Sequence, residues 1–116
     1  MHSQEDEAVF KIAAKRLITW PVTVHVPQDG GTTRKASFDA RLDVLTASEI
    51  EAALAEGKDL LEVQLVGWDK LAGEDGQPLE YSEELKKKLL DLNYVRQGLF
   101  NALTEINTGR AAARKN

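Results

Sequence analysis

Side chains able to do chemistry are scarce in this chain, and their spacing argues against a catalytic or metal centre. There are two histidines, His2 and His25, and no cysteine. The second absence excludes thiol nucleophiles, disulfides and cysteine-ligated zinc. His25 alternates with Val24 and Val26, which places it on the polar face of a strand with no partner at metal-ligand or triad spacing. Asp29-Gly30-Gly31 lacks the Gly-Lys-Ser/Thr ending of a phosphate loop and the third, helix-opening glycine of a dinucleotide fingerprint, so it reads as a hairpin turn. Asp69, Glu74 and Asp75, set among Gly73 and Gly76, are out of register with the alternating ligands of a calcium loop and read as a solvated acidic turn. Trp20 and Trp68 are the side chains best suited to anchoring a partner, although in a small domain with few aromatics a core role is the plainer reading. Catalysis requires convergent reactive groups, and these are scattered over exposed faces. The expectation is a non-enzymatic protein without cofactor or metal.

Composition narrows the class. The 116 residues are 42% hydrophobic and 29% charged, the balance of a single soluble domain with one core. Fifteen Lys+Arg against nineteen Asp+Glu give a net charge of −4, the wrong sign for a protein that grips phosphate backbones. Apolar runs are short and interrupted by charge, and the first residues are acidic where a signal peptide would be basic. A cytoplasmic protein with no nucleic-acid or membrane partner is expected.

The elements that must position any functional surface can be read in order. Ser3 to Leu17 has the pattern of an amphipathic helix, with Val9, Phe10, Ala13 and Leu17 on one face and Trp20-Pro21 as its stop. Val22 to Val26 alternates as a strand; Pro27 ends it, and alternation resumes from Arg34 to Leu45, predicting a β-hairpin around Asp29-Gly30-Gly31. Thr46 and Glu49 have capping-box spacing, followed by Ile50, Ala53 and Leu54 on one helix face and Gly57 as terminator. Lys58 to Leu71 matches both helix and strand periods; the helix is preferred. After the turn at Gly73 to Pro78, Ser82 caps a helix with Leu85, Leu89 and Leu92 inward and Lys86, Lys87 and Lys88 as its solvated face. A last helix, capped by Asp91 or Asn93, carries Val95, Leu99, Ala102, Leu103 and Ile106 and ends at Gly109. The fold class is therefore α+β: one domain in which an antiparallel β-hairpin packs against three to four α-helices. Residues 1–19 are a helical extension, 20–109 the domain, and 110–116 a flexible tail.

Leu65-Val66-Gly67-Trp68, then Glu74-Asp75-Gly76-Gln77-Pro78 and Tyr81-Ser82, then Tyr94-Val95-Arg96, and the Ala-Arg-Lys-Asn ending, occur in an order that resembles the tail assembly chaperones of long-tailed bacteriophages. The likeness spans Trp20 to Asn116 and leaves out the acidic N-terminal segment. It implies a non-enzymatic protein of the infected or lysogenic host cytoplasm, absent from the finished virion. Such a protein binds the helical, aggregation-prone tape measure protein and helps recruit tail tube subunits; the strand edges and helix faces are the surfaces expected to serve any self-association. The side chains that would meet a partner helix are then Trp68, Tyr94, Leu99, Leu103 and Ile106.

Many family members also make a longer product by −1 frameshifting, and Lys115-Asn116 after Arg114 can be encoded by a slippery heptamer. The alternative is a small structural tail protein, a terminator or tube component, that builds rings through open β-edges.

Overall fold

A computed structural model describes residues 9–12 and 16–112. Its frame is a hairpin of two eleven-residue strands, β1 (Leu17–Pro27) and β2 (Thr33–Asp43), paired antiparallel from Leu17↔Asp43 to Pro27↔Thr33. Period-two alternation fixes the register. Val22 pairs with Phe38 and Trp20 with Ala40, so the even-numbered residues form one apolar face. The connection is a single 3-10 turn at Asp29–Gly31, where Gly30 and Gly31 both have φ of 85°, a region that other residues enter at a cost.

The expected N-terminal helix lies mostly on residues 1–8 and 13–15, outside the described ones; Val9 to Ile12 are non-helical and Leu17 already belongs to β1. Pro21 does not stop a helix here. It sits inside β1, an edge strand, where a missing N–H is tolerated. Ile18, Thr19 and Trp20 favour the pleated state and carry the strand back past the expected boundary at residue 20.

Helix α1 (Ala47–Ala55) starts with the expected capping box: the Glu49 N–H donates to Thr46 Oγ1 at 3.3 Å and the Thr46 N–H to Glu49 Oε1 at 2.9 Å. Lys58 to Leu71 is neither all helix nor all strand. It forms the short helix α2 (Leu60–Gln64) and then β3 (Leu65–Asp69), the third strand, paired antiparallel with β2 in the order β1-β2-β3. Three side chains outside the periodicity hold this switch. The Asp59 carboxylate caps Leu61 N–H at 3.1 Å, Gln64 Nε2 donates to the Asp43 carbonyl at 3.1 Å, and Lys86 Nζ donates to the Glu62 and Leu65 carbonyls at 2.8 and 3.0 Å. A register shift between Arg41 and Leu42 leaves Val66 as the extra residue of a bulge.

Lys86 therefore departs from the expected solvated face. It is 6% exposed, while Lys87 and Lys88 remain in solvent. Its ammonium satisfies carbonyls that the end of α2 leaves without helical partners. Helix α3 (Glu83–Leu90) is capped by Ser82, whose Oγ accepts from Leu85 N–H at 3.0 Å. Helix α4 (Asn93–Thr108) begins after Leu92 without a side-chain cap and ends at Gly109 in the left-handed region, φ 72°. It lies against β1. Gly98 permits that approach, since a Cβ there would stand 2.6 Å from the Thr23 carbonyl oxygen. The core between helices and sheet is built from Val22, Phe38, Leu42, Leu65, Trp68 and Leu99 with their neighbours. The class is α+β: among the described residues, a three-stranded antiparallel sheet and four α-helices form one domain.

Candidate functional site

The five side chains expected to meet a partner are used inside the chain. Trp68, Leu99 and Leu103 are buried at 8%, 0% and 7% exposure, and Tyr94 and Ile106 pack half-buried against the same core. Trp68 is also polar-satisfied: its Nε1–H donates to the Leu79 carbonyl at 2.8 Å, and its ring meets Tyr81 edge-on with centroids 4.9 Å apart. Tyr81 O–H donates to Glu83 Oε2 at 2.7 Å; burial, then the Glu83 carboxylate, pushes its pKa up to about 12. Periodicity identified the inward face of α4 correctly, but an inward face serves either the chain's own core or a partner, and here it serves the core.

The unpartnered apolar surface lies one helical step away. A groove of about 400 Å³ runs between α1, α2 and α4, floored by Leu61 and Leu103 and walled by Ile50, Leu54, Leu60 and Phe100. Leu54 and Phe100 are 56% and 59% exposed. Phe100 directly follows the buried Leu99, and Leu54 directly follows the buried Ala53, so each helix turns one residue to the core and the next to the groove. In the sequence, Leu54 was assigned to an inner face and Phe100 to none; two apolar neighbours in adjacent helical positions were the available signal.

An ion pair fixes one rim. Arg96 on α4 bonds both oxygens of Asp59, Nη1 to Oδ2 at 2.9 Å and Nη2 to Oδ1 at 3.1 Å, and also reaches the Leu90 carbonyl at 3.3 Å. The Arg96 guanidinium holds the Asp59 carboxyl below the usual carboxylate range, and Asp59 in turn raises the Arg96 pKa. The pair ties α4 to the start of α2, setting the groove's width. The groove has the form of a cleft that fits an apolar helix face, with the polar side chains of Thr104 and Asn107 at its edge.

The other candidates form no comparable site. His25 is exposed beside a polar cleft of about 200 Å³ between β1 and α4, where Trp20 Nε1–H donates to Glu105 Oε1 at 2.8 Å. Asp75 Oδ1 accepts from Gln77 N–H at 3.0 Å, closing its own turn. Among the described residues no group of three or more His, Cys, Asp or Glu side chains is placed to hold a metal ion, and no helix is long and apolar enough to cross a membrane. Comparison with protein-family models, curated proteins and solved structures finds no match to this chain.

Proposed function

We propose that this chain is a tail assembly chaperone of a long-tailed phage or prophage. In this reading it works without catalysis in the host cytoplasm, binds the tape measure protein, helps recruit tail tube subunits around it, and does not remain in the virion. The observation that supports the reading is the open groove between α1, α2 and α4, in which Leu54 and Phe100 hold large apolar surface in water. A protein that shields a long amphipathic helix needs such a surface on a folded body, with anchors at helical spacing. The contact assigned from the sequence to Trp68, Tyr94, Leu99, Leu103 and Ile106 keeps Leu103, on the groove floor, and otherwise moves to Ile50, Leu54, Leu60 and Phe100.

Co-expression with the tape measure protein tests this. Soluble tape measure protein that co-purifies with the wild-type chain, and is lost with Leu54→Asp/Phe100→Asp while the variant stays folded, is the expected result. Tape measure protein that stays insoluble, together with this chain found as rings in purified tails, would sink it in favour of a structural tail component. In that case the eleven-residue edge strand β1 would be the surface to examine for self-association.

A further inference from the structure

The largest exposed apolar side chains outside the groove lie just ahead of the sheet. Val9, Phe10 and Ile12 are 82%, 86% and 95% exposed. Three such groups within four residues are held unfavourably in water, and an apolar surface within reach would cover them.

The chain leaves the body next to the first turn of α1. The Arg16 carbonyl accepts from Val44 N–H at 2.8 Å, and its guanidinium reaches Glu49 Oε1 at 3.1 Å and Asp43 Oδ1 at 3.4 Å. Glu49 belongs to the first turn of α1, where the next residue, Ile50, lines the groove and Leu54 follows one turn later. Ile12 is four residues from Arg16, a span of about 13 Å when extended, while one helical turn advances about 5.4 Å. The tether is therefore long enough to pass the first turn of α1, whose Ile50 lines the groove. A short tether also supplies an effective concentration in the millimolar range, so the segment's own chain outcompetes a second copy at ordinary protein concentrations.

We propose that Val9-Phe10-Lys11-Ile12 is an internal placeholder for the groove, covering Leu54 and Phe100 when no partner helix is bound and released when one arrives. The described conformation, with the segment free and the groove open, is then the partner-ready state. This rests on the groove being the partner site.

The test uses the full chain, isotope-labelled, against Phe10→Asp/Ile12→Asp. Both positions are exposed, so the variant keeps its core. Backbone amide signals of Leu54, Phe100 and Thr104 should differ between the two proteins. A synthetic peptide of residues 4–15, added to the variant, should move them back towards the wild-type positions, and the same peptide carrying both aspartates should not. The variant should also retain several-fold more tape measure protein on co-expression. Identical groove signals in the two proteins would overturn the placeholder, as would differences that grow with protein concentration, which would assign the segment to a second copy. The two readings fail separately. With no groove shift but partner loss in Leu54→Asp/Phe100→Asp, only the placeholder falls; with a groove shift but no partner loss, the placeholder stands and the chaperone surface falls.

Discussion

The corner around Trp68 and the groove beside Phe100 are built from similar side chains and end in opposite states. At the corner, β3, the loop to Leu79, Tyr81 and α3 close on one another, and polar atoms are satisfied internally: Trp68 Nε1 by Leu79, Tyr81 O–H by Glu83, Lys86 Nζ by two carbonyls. The Lys86 ammonium also stands 6.0 Å from the centre of the Tyr81 ring. At the groove, Leu54 and Phe100 find no covering element among the described residues. Apolar size alone thus does not mark a binding surface. What separates the two is whether the chain itself supplies the opposite wall.

The sharpest way to break the comparison is Trp68→Ala. Losing a buried indole, its edge-on contact and the acceptor role of Leu79 should destabilise the fold by about 3–5 kcal/mol, read as a fall in the urea midpoint at unchanged slope. A change near zero would mean that the corner is not closed and that Trp68 is available to a partner after all.

Lys86→Met sharpens the same contrast. The thioether matches the stem of the lysine but leaves the Glu62 and Leu65 carbonyls without their donor, a cost of about 1–3 kcal/mol. Lys87→Met and Lys88→Met, one and two positions along, should change stability by less than about 0.5 kcal/mol. Equal effects at all three would return Lys86 to the solvated face.

How much of this was legible follows from where each signal resides. The hairpin, the Thr46 and Ser82 caps and the Gly109 terminator are local, written within a few residues, and appear where expected. The split of residues 58–71 was not legible, because Leu61, Val63 and Leu65 satisfy two periods at once. The deciding contacts come from Asp43 and Lys86, about twenty residues away. For the site, the helices that bear it were readable. Which of two adjacent apolar residues would be covered was not, since that depends on how the helices pack, including the tie that the Asp59–Arg96 pair makes between α4 and the start of α2.

That pair predicts an acid effect at the groove rim. Arg96 lowers the Asp59 pKa in the folded state, so its stabilisation is present above the unfolded carboxylate value, near 3.9, and is lost as pH falls through the lower folded value. Because both side chains are about a third exposed, solvent screening limits the contribution to under about 1 kcal/mol. Asp59→Asn keeps an oxygen for Leu61 N–H while removing the charge. Unfolding midpoints measured from pH 6 to pH 2.5 should therefore fall less steeply in the variant than in the wild type; parallel curves would remove the pair from the account.

A small expected change in stability is the one that weighs most on function. Leu54→Ser/Phe100→Ser replaces two side chains that are more than half exposed, so little buried area is lost and the unfolding midpoint should move by less than about 1 kcal/mol. If the groove is surface kept for a partner, the same pair should cost at least tenfold in tape measure binding, and the loss should deepen as the second substitution joins the first. A double variant that unfolds would instead show that Leu54 and Phe100 belong to the core, which would erase the distinction between the groove and the corner at Trp68. Stability retained with binding lost is the pattern that a closed core could not produce, because a residue whose neighbours all come from its own chain cannot affect a partner without first loosening the fold.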